Sequence, residues 1–171
     1  MLQMTLSSKR SWGALPWLWL SALVIVLDLG TKYLASSNLD YGMPVPVLPF
    51  FNLTLLHNTG AAFSFLADQG GWQRWFFAVL AVGVSIMLIA WLYRLPRSDR
   101  WLPIALALVL GGALGNLYDR LVLGYVVDFI HVYYGNYHFP AFNIADCAIS
   151  VGAVMIALDM FRKPSDAGAS D

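Results

Sequence analysis

Four long apolar runs decide what this chain can fold into. They cover about residues 14–34, 72–93, 101–122 and 142–161. A helix needs about 20 apolar residues to cross a hydrocarbon core of roughly 30 Å. Inside a bilayer the backbone must satisfy its own N–H and C=O groups, so runs of this kind form helices. The expected fold class is therefore an all-α polytopic membrane protein with four transmembrane helices. Composition agrees: 12% of the 171 residues are charged and 59% are hydrophobic, whereas a soluble domain carries about 25% charged residues. A cleaved signal peptide is the rival reading of the first run. It needs a shorter core followed by a small-residue cleavage site, but here the run continues through Asp28 and Lys32.

The stretches between the runs set the orientation. Lys9, Arg10, Arg94, Arg97, Arg100, Arg162 and Lys163 all lie at the N-terminus, between runs two and three, or after run four. Residues 36–71 and 123–141 hold no Lys or Arg; Lys32, Arg74 and Arg120 sit at helix ends. By the positive-inside rule both termini are cytoplasmic, and 35–71 and 123–141 are extracytoplasmic. Prolines exclude a helix interior over Met43–Phe50, and Phe51–Asn58 alternates enough for a short strand or extended arm. Residues 58–66 are apolar with small side chains and read as a segment on the membrane. Gly111 and Gly115 form a small-xxx-small pair on which another helix packs closely. One membrane-embedded domain over 1–165 and a polar tail over 166–171 account for the chain.

The ionisable residues within or beside the runs need a reason, because they are costly there. All ten acidic residues are Asp. Asp128 and Asp146 flank an aromatic-rich segment without Lys, Arg or Glu that must leave and re-enter one membrane surface, so both arrive at the same depth. Two close carboxylates do not both ionise readily, and the pair holds one proton. One member then takes a proton from water while the other polarises a carbonyl, which is hydrolysis by general acid–base catalysis. Asn143 lies three residues before Asp146, on one helix face. Asn116 and Arg120 share a face on run three, where Arg120 is expected in a positioning role; Asp119 beside it is as readily at the interfacial water. Asp28 and Lys32, four apart, suit a structural ion pair. The single cysteine, Cys147, excludes an internal disulfide and points off the site face. His57, His131 and His138 lack the i, i+4 spacing of a helical metal site and fall in loops, so no metal is expected.

The stretches DLGTK (Asp28–Lys32), HNTGAAFSFL (His57–Leu66), GGALGNLYDRLVLGYVVDFI (Gly111–Ile130) and FPAFNIADCAISVG (Phe139–Gly152) resemble the bacterial lipoprotein signal peptidases, signal peptidase II. They occur in that family's order and cover most of the chain. The resemblance implies an inner-membrane aspartyl endopeptidase with its active site at the periplasmic face. It implies cleavage of diacylglyceryl-modified prolipoproteins just before the lipidated cysteine, with no cofactor. Membrane lipid is the other partner, the protein is a monomer, and no nucleic acid is involved. Asp128 and Asp146 match the catalytic pair. Asp28, Lys32, Asn58, Gly60, Asn116, Arg120 and Asn143 match positions around the site or in its architecture. The family's small extracytoplasmic β-like arm corresponds to residues 43–58 and its short periplasmic helix to 59–70. Two departures stand out: Leu29 occupies the place of a usual Gln, and Cys147 the place of a frequent Ser.

Two other classes use the same parts. A proton-coupled transporter employs paired Asp residues as proton carriers, but it predicts charges near mid-membrane and internal repeats. A non-catalytic assembly or lipid-binding protein would hold the pair for structure alone.

Overall fold

The computed structural model describes residues 12–60 and 71–161. Four helices appear, α1 (Leu18–Asn38), α2 (Trp72–Arg94), α3 (Trp101–Val122) and α4 (Ile144–Asp159), with a 3-10 turn over Leu15–Trp17 ahead of α1. Their ends follow from local chemistry. Leu95 precedes Pro96 and adopts an extended conformation, which stops α2. Pro103 falls in the first turn of α3, where a missing N–H removes no helical bond. Asn143 and Asp146 form a reciprocal capping box that starts α4.

The helix α3 is the hub. It touches the other three, and 61% of its apolar window is buried, against 28% and 22% for the windows of α1 and α2. Leu106 and Leu110 are its most enclosed large side chains, and they pack with the equally enclosed Leu92 of α2. Lipid offers no hydrophobic gain for helix association, so close approach and polar bonds must supply it. Glycine supplies the approach. A Cβ on Gly111 would lie 2.7 Å from Val24 of α1, and one on Gly112 would lie 2.4 Å from the Ala145 carbonyl of α4. The outward faces stay apolar: Val26, Val79, Ile86 and Val154 are 58–71% exposed, which a water-facing helix would not tolerate in such a row. Among the described residues three helices, Leu15–Asn38, Trp72–Arg94 and Trp101–Val122, are long and apolar enough to cross a membrane. The expected fourth span, 142–161, corresponds to the 16-residue α4, which at about 24 Å, from 1.5 Å per residue, is shorter than those three.

The all-α expectation needs correction. Beyond the arm, β1 (Val45–Leu48) and β2 (Phe51–Asn58), the segment taken for an extracytoplasmic loop forms β3 (Val126–Tyr134) and β4 (Tyr137–His138), giving one antiparallel order β1-β2-β3-β4. The reason is visible in VVDFIHVYY, which is β-branched and aromatic. Its first four residues are all buried, so no polar alternation announces the strand. Gly124 at φ +90° closes the turn out of α3, with its N–H and that of Leu123 donating to the Asp119 carbonyl. This turn feeds β3 directly from the helix. Strand β2 sets the register beside it, Leu56 opposite Asp128 and Asn58 opposite Val126. Asp128 therefore sits on a strand and not at the end of the third span. The histidines expected in loops also lie on strands, His57 on β2, His131 on β3 and His138 on β4. The expected helix at 59–70 lies almost entirely outside the described residues.

Candidate active site

Alternation along paired strands turns Leu56, Asn58, Val126 and Asp128 toward one cavity of about 810 Å³. The first turn of α4 brings Asp146 into its lining as well. Asn143 joins the two carboxyl groups. Its Nδ2 donates to Asp128 Oδ1 at 2.7 Å and its backbone N–H donates to Asp146 Oδ2 at 3.3 Å. Its own Oδ1 accepts the Asp146 N–H at 3.0 Å, so the helix cap and the carboxylate bridge are one residue. Asn58 Nδ2 donates to the other oxygen of Asp128 at 3.0 Å, and Asn116 Nδ2 donates to Asp146 Oδ1 at 2.8 Å.

Below this layer lies a buried ion cluster. Lys32 donates to Asp28 Oδ2 at 2.7 Å, Asp119 Oδ2 at 2.8 Å and Asn116 Oδ1 at 2.8 Å. An ammonium has three N–H donors and no acceptor, so all three are used. The same fact fixes Asn116: its oxygen must face Lys32, which leaves its NH₂ for Asp146. Asp28 Oδ1 accepts the Ala145 N–H of α4 at 2.8 Å. Asp119 Oδ2 accepts the Val127 N–H next to Asp128 at 3.1 Å. A buried charge is held when every partner is satisfied, and here one lysine ties α1 to α3, while its two acids reach the backbone beside each candidate carboxylate.

Arg120 lines the cavity. Its guanidinium donates to the Asn116 carbonyl at 3.2 Å and the Gly60 carbonyl at 3.4 Å, and lies 5.2 Å from the Phe77 ring centre. The Gly60 N–H in turn donates to Asn58 Oδ1 at 3.0 Å. Tyr41, His57 and Phe139–Phe142 contribute aromatic and apolar walls, and Ile149 and Val151 extend the lining along α4. Burial first, and the neighbouring Asp146 second, push Asp128 up to about 7; bonds from Asn58 and Asn143 act in the opposite sense.

All nine site residues expected from the sequence meet in these two layers. Asp28 and Lys32 form the supporting ion pair and do not line the cavity. Asp119 is the residue the sequence undersold. It is 2% exposed and paired, not at interfacial water, and its one available signal was an acid four residues before the turn that begins β3. Cys147, expected to point away, lines the cavity wall. Among the described residues no three His, Cys, Asp or Glu side chains converge on one point.

The fold is that of bacterial membrane enzymes. Two solved structures so described, obtained by the in meso method at 2.3 Å and 1.9 Å resolution, match with TM-scores of 0.79 and 0.76 at 29% and 30% identity. The matches cover 91% of this chain and 93% of the first structure, and 87% and 94% for the second. The chain belongs to the signal peptidase (SPase) II family, whose profile matches residues 20–162. Curated relatives named lipoprotein signal peptidase agree. That of Acinetobacter baumannii is 65% identical over 145 residues, 85% of this chain and 82% of the relative. Those of Pseudomonas putida and Pseudomonas aeruginosa are 62% and 59% identical, covering 88% and 92% of this chain and 89% and 95% of theirs. This is a protease and a multi-pass membrane protein.

Proposed function

We propose that Asp128 and Asp146 are the acid pair with which this signal peptidase removes the signal peptide from prolipoproteins. The observation that carries the reading is Asn143, a single fully buried residue bonded to both carboxyl groups at one cavity. Asp128 holds the proton and donates it in a hydrogen bond to the scissile carbonyl. Asp146, fixed by Asn116 and the helix cap, takes a proton from the attacking water. Oxygen adds to the carbonyl carbon, giving a tetrahedral diol. The carbonyl oxygen takes the Asp128 proton as the diol forms; the proton on Asp146 then passes to the leaving nitrogen, the C–N bond breaks, and a diol hydroxyl returns its proton to Asp128. No covalent enzyme intermediate and no cofactor are required. Asn58, Gly60, Asn116, Arg120 and Asn143 hold substrate and acids in place, and Asp28 and Lys32 brace them from below.

Cleavage falls just before the diacylglyceryl-modified cysteine. The lipid chains suit the apolar cavity wall that Ile149 and Val151 carry along α4, so membrane lipid borders the site. The protein acts as a monomer, four helices across the bacterial inner membrane, with both ends cytoplasmic and the acid pair at the periplasmic face. Bonds at one end of the bundle support that orientation. The Ala14 N–H donates to Leu92 O at 2.9 Å and Trp101 Nε1 donates to Met155 O at 2.9 Å. The start of α1, the end of α4 and the turn bearing Arg94, Arg97 and Arg100 therefore share one end, as the positive-inside rule requires of a cytoplasmic side.

The pH profile tests the acid assignment. Because the native value of Asp128 is raised to about 7, its proton is present below that pH and lost above it. Cleavage of a lipidated prolipoprotein falls as pH rises through about 7, approaching about tenfold per unit. A rate that still climbs at pH 9 contradicts Asp128 as the acid.

A further inference from the structure

We propose that His131 and His138 form a binding site for a divalent transition-metal ion of the zinc type, on the face of β3 opposite Asp128. The two residues are seven apart in sequence, but the β3–β4 hairpin folds between them. Tyr133 pairs with His138 and Tyr134 with Tyr137, around Gly135 at φ +57°. His131 is thus the diagonal neighbour of His138 on one face of the ladder. His131 Nε2 and His138 Nδ1 lie 3.2 Å apart. Two nitrogens of a tetrahedral zinc site, bonded at about 2.0–2.1 Å, stand about 3.3 Å apart. The pair is therefore spaced to exchange its shared proton for a metal ion with little movement.

Three further observations point the same way. His131 Nδ1, the nitrogen turned away from the pair, lies 3.4 Å from Thr54 Oγ1. An oxygen partner on the far nitrogen of a ligating histidine fixes its tautomer and orientation. Tyr133 stacks on His138 at 5.5 Å and 17°, holding the second ring. Asn52, directly opposite His131 in the register, is 9% exposed and its Oδ1 has no hydrogen-bond partner. That oxygen stands on β2, across β3 from His138 of β4, so it reaches an ion held by the pair through a metal-bound water. Neither histidine lines the cavity, and Asp128 lies three positions earlier on the opposite face of the strand. The site is separate from the acid pair and takes no part in the hydrolysis.

Calorimetric titration of zinc chloride into the full-length, tag-free protein in detergent at pH 7.5 tests the proposal. Wild type is expected to bind one ion per chain with micromolar affinity. His131→Gln and His138→Gln abolish that binding, Thr54→Val weakens it about tenfold, and His57→Gln leaves it unchanged. In zinc-free buffer both histidine variants still cleave prolipoprotein, which shows that they are folded. The proposal is overturned if wild type takes up no zinc, or if His131→Gln and His138→Gln bind it as wild type does.

Discussion

At the scale of single residues, the site rests on donors and acceptors counted out without surplus. Lys32 has three N–H groups and three acceptors. Lys32→Met leaves two carboxylates buried and uncompensated, and breaking a buried ion pair by removing one partner costs about 3–5 kcal/mol. A melt in detergent is expected to show that loss, together with loss of cleavage, since the amide of Asn116 is no longer forced to face Asp146 with its NH₂. Adding Asp119→Asn removes one stranded charge and restores part of the stability, a coupling that a double-mutant cycle measures. Additive losses would place the two residues in separate networks. The sequence showed that Asp28 and Lys32 share a helix face, because four-residue spacing is a local property. It did not show that Lys32 meets Asn116, 84 residues away, or that Asp119 is the second counter-ion. Those are facts of packing between helices.

At the scale of elements, close helix packing and a short sheet together aim the acids. Gly112→Ala puts a Cβ 2.4 Å from the Ala145 carbonyl and 2.7 Å from Ile149. The first turn of α4 must move, and Asp146 moves with it. Overpacking of this kind costs about 1–3 kcal/mol, and the cleavage rate is expected to fall with stability. Gly83→Ala on α2 meets nothing within 4 Å and leaves both unchanged or slightly raises stability. Equal effects at the two positions would deny the close approach of α3 and α4. The helices were legible to within a few residues, α1 at Leu18–Asn38 against an expected 14–34, since long apolar runs have one solution in lipid. Strand β3 was not legible: its fourfold buried start erases the alternation by which a strand is recognised, and its partner β2 lies some 70 residues earlier.

At the scale of the whole molecule, polarity is sorted to opposite ends. The arginine-rich turn lies at one end with both termini of the bundle, and the sheet and acid pair lie at the other. In a Cys147→Ser background, a membrane-impermeant maleimide applied to intact spheroplasts is expected to label a cysteine placed at Asn136, in the exposed β3–β4 turn, and to spare one at exposed Ser98. The reverse pattern would invert the topology. Charge bias in the sequence is what the proposed orientation rests on, whereas the acid pair could be placed at one depth but not built from it, because the sheet that presents Asp128 joins segments distant in the chain.

The most direct test is cleavage of a diacylglyceryl-modified prolipoprotein by the purified protein, comparing wild type with Asp128→Asn and Asp146→Asn, each with and without EDTA. Wild type is predicted to cleave equally in both buffers, and each variant to lose about 100-fold or more of the rate while keeping a cooperative melt. If either variant cleaves at the wild-type rate, that aspartate is structural and the paired-acid mechanism is wrong.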